Sequence, residues 1–200
     1  MVCHPTSCAE SSMPECSRNK FMMEHIRLSE MPAGFAVGSS IGLFERHAQA
    51  ALGAVEFNEF NLRSWLKRLV IVTGDDRSSV ACGCLLLIMK NHWSSLPDEL
   101  RGRYGNAPRV FADAAQLYDG AMLRNVLRYA KVCVLDNVDR IDAKHHAAFL
   151  ELIGERVNDR KITIITVPDV VLMYTMFPQL ANYFDMDKAQ VLDTSAQVHA

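Results

Sequence analysis

Apolar residues along this chain follow two alternating patterns. Short, mostly β-branched runs, Leu69 to Thr73, Arg109 to Ala112, Lys131 to Leu135 and Lys161 to Thr166, read as buried strands. The segments between them carry apolar residues at helical spacing. Phe35 to Ser40 leads into Leu43, Phe44, Ala48, Ala51, Leu52 and Val55, an amphipathic helix with Ser39 or Ser40 as its N-cap. Val80 to Met89 is a buried helix ending near Lys90, and Asn91 to Asn106 a polar loop. Asp113 to Tyr129 reads as a helix capped by Asp113, and Ala143 to Arg156 as another, with Phe149, Leu150, Ile153 and Val157 in helical step. Asp169 to Phe184 is helical in part, interrupted at Pro178, and Val191-Leu192 adds an edge strand. Strands alternating with helices predict an α/β fold, a parallel sheet covered on both faces. Residues 1–29, rich in Ser, Cys, Met, Pro and His without apolar period, are expected to form a weakly ordered tail. Residues 30–193 then make one domain and 194–200 a short closing tail.

In a parallel sheet the ligand site lies outside the carboxyl ends of the strands. Three such ends stand out. After Thr73, Gly74 opens a polar turn, Asp75-Asp76-Arg77-Ser78-Ser79, before the apolar helix. Strand, Gly turn and helix make the frame of a P-loop, whose motif G-x-x-x-x-G-K-[ST] holds phosphates with backbone N–H groups and a Lys. Counting from Gly74 puts Ser79 at the second Gly, Val80 at the Lys and Ala81 at the Mg²⁺-binding hydroxyl, while Asp75 and Asp76 would repel an incoming anion. The frame is present without its phosphate chemistry. The second end, Asp136, fits a carboxylate placed beside Mg²⁺, or equally a cap on the next turn. Asn137 stands where a second acid would act as base, and an amide cannot accept that proton. Thr166 closes the third end.

Composition narrows the classes. Two hundred residues, half of them hydrophobic and 22% charged, suit one globular domain. A net charge of −2 without a lysine/arginine cluster argues against strong direct nucleic-acid binding. The longest apolar run is about half a bilayer span, and no signal segment opens the chain, so a cytoplasmic protein with reduced thiols and no membrane partner is expected.

Other constellations have structural readings. Cys3, His4, Cys8 and Cys16 match no C-x₂-C pairing, so zinc is not expected there. His145 and His146 point apart on a helix, a poor metal pair, and read as solvated or partner-facing. Cys82, Cys84 and Cys133 read as small buried hydrophobes, Trp65 and Trp93 as packing residues. Nothing marks an activated nucleophile.

The order of elements resembles the AAA+ domain of the DnaA/Hda family of replication initiators and their regulators. Phe35-Ala36-Val37-Gly38 with its Ala-rich helix resembles that domain's opening, Leu69 to Leu87 its Walker A unit, and Tyr129 to Asp139 its Walker B strand. Phe149 to Ile153 resembles the helix after Walker B, Lys161 to Pro168 the sensor 1 strand with Thr166, and Pro178 to Phe184 the family's Leu-x-Ser-Arg-Phe ending, with Tyr183 in place of Arg. From the 16 residues that follow Phe184, a helical lid and the initiator's DNA-binding domain are expected to be lacking. His25-Ile26-Arg27-Leu28 lies where a sliding-clamp segment would, but lacks its Gln. The resemblance implies a reduced, Hda-like paralogue: a regulator or adaptor that contacts an initiator or another replication protein. No catalytic residue, metal or cofactor is expected of it. ATP or ADP with Mg²⁺ is what the frame would hold if it bound anything, as in a nucleotide-gated ATPase of the helicase-loader kind. A plain α/β scaffold is the third reading.

Overall fold

A computed structural model describes residues 37–52, 65–95, 109–118 and 127–195. The predicted N-terminal tail with its cysteines, the connection 53–64, the sequence 96–108 and the clamp-like segment lie outside them. Five strands, β1 (Leu69–Thr73), β2 (Arg109–Asp113), β3 (Val132–Asp136), β4 (Ile162–Thr166) and β5 (Ala189–Asp193), form one all-parallel sheet in the order β2-β3-β4-β1-β5. The central strands read as continuous apolar runs because both faces are covered, and β1 and β3 are buried at every position.

Alternate strand residues feed two cores. Val70, Val72, Val132, Val134 and Ile164 meet α1 (Val37–Leu52) and α2 (Arg77–Ser95) on one face. Leu69, Ile71, Cys133, Leu135 and Ile165 face α3 (His146–Asn158), α4 (Val170–Met176) and α5 (Ala181–Asp185) on the other. The α1–α2 contact is backbone-close: a Cβ on Gly83 would stand 1.9 Å from the Ser40 carbonyl oxygen. Only glycine permits that approach.

Element types agree with the sequence pattern and boundaries shift. The first helix begins upstream of its expected caps, so Ser39 and Ser40 lie within it. α2 starts at Arg77, ahead of the expected Val80, and runs to Ser95, past the expected end at Lys90; its stretch Val80 to Leu87 is packed in the core. The stretch expected as a helix from Asp113 opens as a 3₁₀ turn, Ala114–Tyr118, and Asp113 caps it by accepting from the Ala115 N–H at 2.9 Å. Asp169 caps α4 through the Leu172 N–H, and Pro178 separates α4 from α5 at the start of a 3₁₀ turn.

One core group was invisible in the pattern. Arg156, within the apolar spacing of α3, is fully buried. Its Nε donates to Thr163 Oγ1 at 2.8 Å, Nη1 to the carbonyls of Leu127 and Ala130 (the latter at 2.8 Å), and Nη2 to the Ile162 carbonyl at 2.7 Å. The guanidinium fork ties α3 to the starts of β3 and β4.

Candidate functional site at the carboxyl end of the sheet

Every strand ends on Asp or Thr: Thr73, Asp113, Asp136, Thr166 and Asp193. The parallel register sets Asp113 beside Asp136 and Thr73 beside Asp193. This is the end at which the sequence placed the site.

The β1–α2 connection is only Gly74-Asp75-Asp76. Gly74 adopts φ +91, donates its N–H to the Pro168 carbonyl at 2.9 Å, and has no room for a Cβ, which would lie 2.5 Å from Thr194 Oγ1. This shortens the expected turn, Asp75 to Ser79, to Asp75 and Asp76. Val80 and Ala81, counted at the Lys and hydroxyl positions, are core residues with no exposure. The turn is shorter than the count assumed, and the residues that open the helix are Arg77 and Ser78, a cation and a hydroxyl.

Both turn inward. Ser78 Oγ donates to Asp136 Oδ1 at 2.7 Å, and Thr166 Oγ1 donates to the same oxygen at 2.6 Å. Thr166 Oγ1 also accepts the Asn137 N–H at 2.8 Å, and Asn137 Nδ2 donates to Asp136 Oδ2 at 2.9 Å. Asn137 sits in the left-handed region at φ 56, which Asn tolerates better than most residues. Arg77 Nη1 donates to the Gly74 carbonyl at 3.0 Å and Nη2 to Asn137 Oδ1 at 3.3 Å, while its buried Nε has no partner among the described residues. Five expected residues, Arg77, Ser78, Asp136, Asn137 and Thr166, are thus one network, with Asp136 only 5% exposed. Ser79 is half-buried and takes no part in it; Asp75 and Asp76 are exposed on the turn.

The Ser78 hydroxyl and the Asp136 carboxyl group, which a metal ion would share, bond each other here, and Arg77 is bonded back to the Gly74 carbonyl of the three-residue turn.

A second polar cluster, missed from the sequence, closes β1 against β5. Thr194 Oγ1 donates to the Thr73 carbonyl at 2.6 Å, and Asp193 Oδ1 accepts from Thr73 Oγ1 at 3.1 Å and Ser195 Oγ at 2.6 Å. The Ser195 bonds hold the Asp193 carboxyl below the usual carboxylate range. Beside it, burial pulls His47 below the ordinary imidazole value, against the opposing charges of Asp76 and Asp193. The available signal was an apolar run ending in Asp, Val191-Leu192-Asp193, which repeats Val134-Leu135-Asp136.

Remaining candidates have packing roles. Cys82, Cys84 and Cys133 are buried; burial and the Asp136 charge push the Cys82 thiol up to about 12, and burial also raises Cys84 and Cys133, which favours the neutral thiol. The histidines, expected to be solvated or partner-facing, are only partly exposed and make contacts within the fold. His145 stacks on Tyr118 with centroids 4.1 Å apart, and His146 Nε2 lies 3.2 Å from the Ile141 carbonyl oxygen, both half-buried. Trp65 packs 6.1 Å from Phe44; the Trp93 side chain is outside the described set. Among the described residues no group of His, Cys, Asp and Glu is placed to hold a metal, and no helix is long and apolar enough to cross a membrane.

No family model and no curated protein matches the chain. Two solved structures superpose on most of this chain at low identity. One, described as a DNA replication initiation factor, is 13% identical with a TM-score of 0.48, over 80% of this chain and 48% of that one. AMPPCP-bound DnaA from Aquifex aeolicus is 14% identical with a TM-score of 0.46, over the same shares. The chain spans about half the length of each. With five parallel strands between two helical layers, the chain folds as an α/β domain built on one parallel sheet.

Proposed function

We propose that this protein is a non-hydrolysing adaptor or regulator of the DnaA/Hda kind, working in the cytosol through protein contacts. The observation that carries the reading is the closed network around Asp136. Both of its oxygens accept from protein groups, and its neighbour Asn137 cannot serve as base. A phosphate would have to displace Arg77 and pass Asp75 and Asp76. The core that supports this end is meanwhile intact, as expected of a domain kept for its shape and surface. The replication setting rests on the sequence resemblance, with an initiator or another replication protein as partner.

The test is a titration with labelled ADP and ATP, with and without Mg²⁺, beside an ATP-turnover assay. The expected result is no turnover; turnover abolished by Asp136→Ala overturns the proposal. One observation favours a second reading. Arg77 and Ser78 open the helix in the order cation then hydroxyl, as the Lys and Ser/Thr of the motif do. Saturable micromolar nucleotide binding would put a nucleotide-gated, helicase-loader-like ATPase first.

A further inference from the structure

The opposite end of the sheet carries the opposite charge. β2 opens with Arg109, while Lys131, Lys161, Arg68 and Lys188 each stand immediately before a strand. Backbone bonds fix this row: Ile162 N–H to the Lys131 carbonyl at 3.0 Å, Thr163 to Arg68 at 2.8 Å, and Leu69 to Lys188 at 3.0 Å. Each strand thus begins at or just after a basic residue: Lys131 stands in register with Lys161 and Arg68 with Lys188, while Arg109 stands beside Val132 and Arg68 beside Ile162, one residue further along. The net charge of −2 conceals this separation.

From this we infer that the amino-terminal end of the sheet is the docking surface for an acidic segment of a partner protein, with Tyr129 as its aromatic anchor; the inference rests on the reading that this protein acts through protein contacts.

Three observations carry it. Lys131, Arg160 and Lys188 have no ion-pair partner among the described residues, so their charge is available. Tyr129 is 75% exposed and borders a cleft of about 460 Å³ whose lining includes Arg128, Arg156 and Lys161. Arg156 reaches that cleft from the core bonded to carbonyls and a hydroxyl, without a carboxyl partner, so its positive charge adds to the potential there. An exposed tyrosine among arginines is the chemistry of a protein-binding hot spot.

Interleaved acids select the class of partner. Glu155 pairs with Arg128 at 3.0 Å, Asp159 with Lys161 at 2.8 Å and Asp187 with Lys67 at 2.8 Å. Their carboxylates would repel the unbroken phosphate row of a nucleic acid. A peptide can place its own carboxylates between them and an apolar side chain against Tyr129.

The experiment is fluorescence anisotropy on the full chain, with two labelled probes: a peptide of alternating Glu and Ala around one Phe, and an oligothymidylate. Salt is varied from about 50 to 300 mM to expose screening. The peptide is expected to bind, to weaken with salt, and to lose about tenfold in affinity in the Lys131→Glu/Arg160→Glu double variant and several-fold in Tyr129→Ala. Both charge-reversal sites are exposed, and an unchanged melting temperature verifies that the variant folds. Three outcomes overturn the inference: no peptide binding, peptide binding indifferent to charge reversal, or oligothymidylate binding at least as tightly at the same residues. ATP turnover is read separately, so turnover with intact peptide binding removes the non-hydrolysing reading and leaves the docking surface standing.

Discussion

The two ends of this sheet solve the problem of polar strand termini in opposite ways. At the carboxyl end, Asp136 and Asp193 are matched by Ser78, Thr166, Thr73 and Ser195, short side chains whose hydroxyls bond the acids at 2.6 to 3.1 Å. The polar groups there satisfy one another. At the amino end the described basic residues are long and exposed, half-buried or paired at the surface, and Arg156, fully buried among them, is held by peptide carbonyls. A closed network stabilises and leaves little capacity for a ligand; an open row of cations does the reverse. The end where a parallel sheet ordinarily binds is the more fully bonded of the two.

Four substitutions or conditions test that contrast. Arg156→Leu should be the most damaging, since it strips donors from three carbonyls and a threonine in one step. A loss of about 3–5 kcal/mol in urea unfolding is expected; a loss below about 1 kcal/mol would mean that the guanidinium is not what joins α3 to the strands. Gly74→Ala should cost about 2–3 kcal/mol, because the new Cβ meets Thr194 and the Ser195 backbone in a left-handed turn. An unchanged melting temperature would show that the turn can relax and that the carboxyl end is looser than its bonding implies. Asp136→Ala should cost about 1–3 kcal/mol by stranding the Ser78 and Thr166 hydroxyls. No loss at all would mean that the acid is retained for a ligand and not for the network.

The smallest effect concerns pH. Burial keeps His47 neutral in the fold, so its folded pKa lies below the unfolded 6.5 and the unfolded chain takes up the proton first as pH falls. Its contribution is complete above that range and is lost as pH drops through the folded value. Asp193, also depressed, adds a loss of the same sign at lower pH, below 3.8. His47→Gln should flatten the stability profile only near pH 6, measured by chemical denaturation across pH; an unaltered slope would place the titrating group elsewhere.

Much of the candidate site was legible in the sequence because strand-end chemistry is local. An apolar run ending in Asp136-Asn137, and another ending in Thr166, needed only the rule that parallel sheets present their carboxyl ends. The count from Gly74 did leave the motif positions at Ser79, Val80 and Ala81 without phosphate chemistry, but it extended the turn to Ser79 where the helix begins at Arg77. Packing of Val80 and Ala81 into the core draws α2 back to Arg77, and so brings Ser78 to Asp136. The Asp193 cluster was passed over because it forms only when β5 pairs with β1, residues more than a hundred positions apart.

The sequence by itself determined the α/β alternation, the strand cores and the identities of the groups at the strand ends, since these depend on the period of apolar residues and on the polar residue that terminates each run. Tertiary structure alone decided which hydroxyl meets which acid, that Arg156 lies wholly within the core, and that a nearly neutral chain has one acidic and one basic end. Those properties arise from the register of five parallel strands, which aligns residues distant in sequence into rows that no local pattern encodes.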